Sequence, residues 1–445
     1  MKIKASVIAM GFIALASTSV YASTGNQDSI TMIGSGNTAA IDQNVTQGDR
    51  VSIDQRAGSG AVANNLATVS EAASIGNSVA VNQSSGGNTT SISTSGGGQN
   101  ITNVLQNGAS TSEATVSQRD EIANGVSITQ SLGGGGVASV TSNYGAGDYT
   151  TIVQTGPNAA HVSQSTASND FTAISQSGAG ASATVGQTFS SGNTTVINQG
   201  GLLNAATVTQ SGSNSNSTTV SQYGLIGNNA TVSQAGSSLN STGIVQAGIL
   251  NTASVSQTGS FGNSTSIYQE AAGDVATVSD FNASNGRVDI RQSGTRERVA
   301  VAQASENGSS TTVAQSGIGQ GSVTTMQENG GANSISVTQS NTSLFGAANV
   351  ASLTQDGAVG SSQILTQTGS ANRTTAFQAG FEDTLLASQS GSANVLYASQ
   401  SGDGNYAQTS QIGTGNSASI TQVGGGNAAN ITQNGSHNVA TIASH

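Results

Sequence analysis

Three histidines, four clustered arginines and several glycine-rich runs are the residues here whose types could do catalytic or binding chemistry. Catalysis needs acid, base or nucleophile groups that converge. His161 falls at an outward strand position, His437 in the last link between strands, and His445 is terminal, so we read all three as solvated surface groups. Gly133 to Gly136 lack the Lys-Ser/Thr that must follow a phosphate-cradling loop. Asp148 ends a Gly-Ala-Gly-Asp stretch, but a calcium-binding roll needs that unit to recur, and it does not. Arg287, Arg291, Arg296 and Arg298 lie close in sequence to Asp280, Asp289 and Glu297, which suggests a surface salt network. With no cysteine there is no thiolate nucleophile, thiolate metal site or disulfide. The expectation is a non-enzyme with no cofactor and no metal.

What does recur is the amide. An Asn is followed six residues later by Gln, then a glycine-rich link, then the next Asn. Near the C-terminus the pairs are Asn394/Gln400, Asn405/Gln411, Asn416/Gln422 and Asn427/Gln433. In the middle they include Asn193/Gln199, Asn204/Gln210, Asn216/Gln222 and Asn228/Gln234. The Gln-to-Gln spacing is almost always 11 or 12, and two spacings of 16, Gln55 to Glu71 and Gln339 to Gln355, suggest four-residue insertions. Counting from Gln43 to Ser444 gives 35 units, and Asn26/Met32 reads as a decayed earlier copy. Amides repeated at fixed spacing can bond to their own kind when stacked in register.

The elements that would position them are short strands. In Asn416 to Gln422, residues Asn416, Ala418, Ile420 and Gln422 share one face, and Ser417, Ser419 and Thr421 share the other. Such alternation marks a strand with one buried face. Glycine-rich links such as 423–426 read as turns. A meander of hairpins tolerates links of this length, but constant spacing and inward amides favour a solenoid. Two units would form one rung, giving two facing parallel in-register sheets and about 17 rungs. The fold class is therefore all-β, a single long β-solenoid over residues 37–445. Its inward aliphatics include Val208, Val220, Val232, Val255, Ile420 and Ile431. In this register every aromatic beyond residue 22 and all eight arginines fall outward or in links.

Acids break the pattern. Asp49, Asp148, Asp170, Asp274, Glu297 and Asp383 stand at the Asn position, and Glu71 and Asp280 at the Gln position. An ionised carboxylate accepts but cannot donate, and burying a charge is unfavourable. Either these strand ends are partly solvated, or residues such as Glu71, Asp274, Asp280 and Glu297 act as gatekeepers that slow premature aggregation.

Composition agrees with a stacked fold. The 445 residues include 59 Gly and 1 Pro, with 7% charged and 3% aromatic, whereas disorder brings high charge or dense proline. Residues 1–22 read as a secretory signal: Lys2 and Lys4, an apolar run from Val7 to Ala16, and small Val20 and Ala22 before Ser23. That run is shorter than the roughly 20 residues a membrane span requires. Residues 23–36 form a short segment before the first full copy. Removing both lysines takes the formal charge from −11 to −13, a balance that argues against nucleic-acid binding.

These repeats resemble those of the curlin family, the major curli subunit and its nucleator. The family pattern looks like Ser-x5-Gln-x-Gly-x2-Asn-x5-Gln, and Gln400-Ser-Gly402-Asp-Gly-Asn405 through Gln411 matches its core, as does Gln411-Ile-Gly413-Thr-Gly-Asn416 through Gln422. The resemblance covers about residues 26–444, with about seventeen full repeats where typical curlins have about five. It implies export through an outer-membrane curli channel, nucleation at the cell surface, and head-to-tail homopolymerisation into extracellular amyloid fibres for adhesion and biofilm matrix. Two alternatives stand beside that reading: a β-solenoid surface adhesin that does not polymerise, and a nucleator or minor subunit of such a fibre.

Overall fold

The structure, a computed structural model, describes residues 2–7, 23–56, 64–84, 86–107, 111–131, 135–342 and 347–445. Among them are 37 β-strands and no helix. Strands from Thr38–Asn44 to Val439–Ser444 number 35, one for each repeat unit counted in the sequence. The decayed copy also forms a strand, Gln27–Ile33. Lys2–Val7, within the segment read as a leader, pairs in parallel with it. The apolar stretch after residue 7 and most of the first four-residue insertion lie outside the described residues, as does part of the second.

The chain divides into two compact units, residues 1–222 and 223–445. In each, from Gln27–Ile33 onward, successive strands go alternately to two sheets and pair in parallel with strands two places away. In the first unit Val162, Val185 and Val208 align, as do Gln164, Gln187 and Gln210. In the second, Gln378, Gln400 and Gln422 align. Parallel pairing with a whole strand in between is a solenoid; a hairpin meander would pair neighbours antiparallel.

Side chains follow the expected alternation. Ala205–Ser211 buries Ala206, Val208 and Gln210 and exposes or half-exposes the rest. Val208, Val220, Val232, Val255, Ile420 and Ile431 are all buried, each worth roughly 1.5–3 kcal/mol. No described aromatic is buried. Outward rings stack on neighbouring strands instead, Tyr149 on Phe171 at 5.9 Å and Arg291 over Tyr268 at 5.4 Å.

The links differ from expectation toward the C-terminus. Strands Ser362–Ser370, Arg373–Phe381, Thr384–Ser392, Val395–Asp403 and Tyr406–Thr414 are nine residues long, so the Gln-x-Gly segment continues the ladder. The corner shrinks to two residues such as Ala393-Asn394. Glycine permits this because Gly369, Gly391, Gly413 and Gly435 form a column with φ near +114°. A Cβ on Gly391 would lie 2.1 Å from the Gly413 carbonyl oxygen.

Candidate functional site

The Gln columns are the best-ordered chemical feature of the interior. Gln176 Nε2 donates to Gln199 Oε1 at 2.8 Å, and Gln199 Nε2 to Gln222 Oε1 at 2.8 Å. On the facing sheet Gln187 donates to Gln210 at 2.9 Å. In the second unit Gln234 donates to Gln257 at 2.9 Å, Gln400 to Gln422 at 3.0 Å and Gln411 to Gln433 at 2.8 Å. Each donation runs toward the C-terminal neighbour. The second N–H fixes that sense by reaching a backbone carbonyl on the facing strand: Gln199 to Ser182, Gln400 to Thr384 and Gln433 to Ser417.

The Asn column works differently from a pure amide ladder. Asn193 Oδ1 accepts the backbone N–H of Asn216 at 2.8 Å, and its Nδ2 reaches Ser213. Asn228 Oδ1 accepts the N–H of Asn251, and its Nδ2 donates to the Gly248 carbonyl. Asn204 Nδ2 donates to the Gly200 carbonyl. Here the side chain ties corner backbone to the next rung. In the C-terminal repeats amide is bonded to amide as well: Asn416 Nδ2 to Asn394 Oδ1 and Asn427 Nδ2 to Asn405 Oδ1, both 3.1 Å.

Of the two readings of the acids, partial solvation is not what the structure shows. Glu71, Asp274, Asp280 and Glu297 are each 1% exposed or less. Asp keeps the acceptor half of Asn's work: Asp274 Oδ1 accepts the Glu297 N–H at 3.0 Å. Glu297 Oε2 accepts the Gly294 N–H. At the Gln position, Gln43 Nε2 donates to Glu71 at 2.7 Å. The donor half is missing, leaving Glu71 Oε1, Asp274 Oδ2, Asp280 Oδ1 and Glu297 Oε1 buried without partners. Burial pushes the carboxyls up, Glu71 to about 7, Asp274 and Asp280 to about 6 and Glu297 to about 8. The expected salt network is correspondingly smaller: Arg287 pairs with Asp289 at 3.6 Å, while Asp280 and Glu297 point inside.

Several interior residues escaped the sequence pattern. Ser74 donates to Asp49 Oδ2 at 2.6 Å, and Ser190 to Asp170 Oδ2, so these two acids keep partners for both oxygens. Both serines sit three residues before the next Asn, at a corner position that turns inward. Glu121 and Glu306 occupy the same corner position and are buried too. Thr195 and Thr374, two residues after Asn, donate across the core to Gln210 and Gln389.

Residues 402–435, a run of in-register strands with both amide columns intact, match the family model of the curlin associated repeat. This stretch carries a curlin associated repeat. The matched stretch covers C-terminal copies in which the Gln-x-Gly-x2-Asn curlin motif is regular, including the two-residue corners at 404–405 and 415–416. No curated protein compared with the chain matches it. No helix among the described residues is long and apolar enough to cross a membrane.

Proposed function

We propose that this protein is the structural subunit of an extracellular, curli-like amyloid fibre that grows by end-on stacking of rungs. The observation that carries the reading is the uniform sense of the Gln columns. Because amides paired along a column donate toward the C-terminal neighbour, the lower face of one rung complements the upper face of another. Strands at the C-terminal edge, Ala428–Ser436 and Val439–Ser444, pair on one side only among the described residues. An unpaired strand recruits another, and a head-to-tail contact that does not close makes a filament. The curlin repeat supports a secreted location, a curli-type secretion channel and nucleator as partners, and a role in adhesion and biofilm matrix.

The test is to purify the chain from Ser23 onward and follow thioflavin fluorescence with electron microscopy. Seeded elongation into fibres is expected. A folded β-rich monomer that never elongates would overturn the fibre and leave the adhesin reading.

A further inference from the structure

The column through Gln257, Asp280 and Gln303 contains a place where two acceptors meet. Gln257 Nε2 donates to Asp280 Oδ2 at 3.1 Å, and Gln303 Nε2 donates onward to Gln327 Oε1 at 2.9 Å. Asp280 Oδ1 and Gln303 Oε1 are left buried without partners, on consecutive strands whose register sets Asp280 against Gln303. Gly286 leaves room for the Gln303 carbonyl, since a Cβ there would lie 2.6 Å from it.

Turning an amide round does not repair the gap. A reversed Gln303 would face Asp280 with its N–H groups but set its own oxygen against Gln327 Oε1. Passing the reversal down the column meets an obstruction at each rung. Gln327 Oε1 accepts from Thr311 at 2.9 Å. Gln355, Gln378 and Gln400 spend their second N–H on the carbonyls of Ser361, Ser362 and Thr384, at 3.0, 3.1 and 3.0 Å. Reversal would press an oxygen against each of those carbonyls. An ionised Asp280 has nothing to donate, whereas the protonated acid has one O–H.

We propose that Asp280 is protonated on Oδ1 in the folded stack and donates to Gln303 Oε1, so that a bound proton completes this column. No charged group faces the carboxyl. Gln257 and Gln303 flank it, and the Thr265 hydroxyl across the core favours the ionised carboxylate without serving Gln303 Oε1. Asp274 and Glu297 sit at the corners just before Val275–Phe281 and Arg298–Ala304, at the opposite strand end, and Arg287, Asp289 and Arg291 on the facing strand point outward. Burial pushes the carboxyl to about 6. A carboxyl raised above its unfolded value stabilises fully below that value, near pH 4, and loses the contribution as pH rises through about 6. These rungs therefore tighten on acidification and loosen above neutrality, whether or not chains polymerise.

Asp280→Asn supplies the donor permanently. Hydrogen exchange over 275–281 in the full mature chain would be compared for wild type and variant at pH 5 and pH 8. Other carboxyls titrate in both proteins and cancel in the ratio. The wild-type opening constant relative to the variant is expected to rise about tenfold between the two pH values. An infrared protonated-carboxyl band should also be present in wild type at pH 5 and weaker in the variant. A pH-independent ratio, or no variant-sensitive band, would overturn the proposal. Asp280→Gln, which restores the residue found on either side, gives the same comparison should the Asn variant fail to fold.

Discussion

Truncating one Gln inside a column should disturb more than its own rung. Gln378 is fully buried, accepts from Gln355 at 2.9 Å, and donates to Gln400 Oε1 at 2.8 Å and to the Ser362 carbonyl at 3.1 Å. Gln378→Ala leaves Gln400 Oε1 without its donor and one Gln355 N–H without its acceptor, while the other Gln355 N–H keeps its bond to Ser361. At about 1–3 kcal/mol for each orphaned group, the loss is about 2–6 kcal/mol. Gln433→Ala, near the edge, orphans only the Gln411 N–H that it accepted and should lose about half as much. Thr375→Ala, on the outward face of the same strand as Gln378, should change stability by less than about 0.5 kcal/mol. Because solenoid stability is a sum of neighbour terms, the assay is urea unfolding of the mature chain combined with hydrogen exchange resolved by strand. The ladder argument fails if Gln378→Ala and Thr375→Ala are equivalent, or if Gln433→Ala is the most disruptive of the three.

Gly391→Ala forces a β-carbon into the Gly413 carbonyl at a φ of +115°, a strain of order 1–3 kcal/mol before any shift of the next rung; a lower urea midpoint and slower fibre elongation are expected. Ser190→Ala removes the donor to Asp170 Oδ2 and should destabilise by about 1–3 kcal/mol, with much of the loss recovered in the Ser190→Ala/Asp170→Asn double variant when midpoints are compared. Glu297, raised by burial to about 8, should stabilise fully below about pH 4 and lose that contribution as pH rises through about 8. Glu297→Gln should therefore raise the midpoint at pH 9 while changing it little at pH 4.

The strands and their inward faces were legible because two signals coincide. Period-two alternation sets the face, and the 11- or 12-residue spacing sets the register, so Val208 and Gln210 could be assigned inward from sequence alone. The corners were not legible. Alternation stops at residues with left-handed backbone, and several are non-glycine, such as Leu203 and Ser215, both with φ of 55°. Nothing in their side chains announces that geometry, so the inward turn of Ser74, Ser190, Glu121 and Glu306 could not be read. Glycine misled in the other direction. Gly391 reads as a turn signal, yet it sits within an extended strand because only glycine lets two backbones pass so closely. The acids were recognised as anomalies at the right positions, but their burial depends on neighbouring rungs that one unit's sequence does not show.

Register also governs how such a chain can change length. Thr384 aligns with Tyr406, and Gln389 with Gln411, along the whole strand. Removing residues 384–405 would join Asp383 to Tyr406, setting Gln367 over Gln411 and Gln378 over Gln422 with both columns unbroken. The excised piece is one complete turn, so no residue on either side meets a neighbour of the wrong kind. Copy number is thus a quantity that the fold leaves free. A gene encoding this chain could gain or lose whole turns by unequal recombination between its repeats, and each product would inherit a working interior.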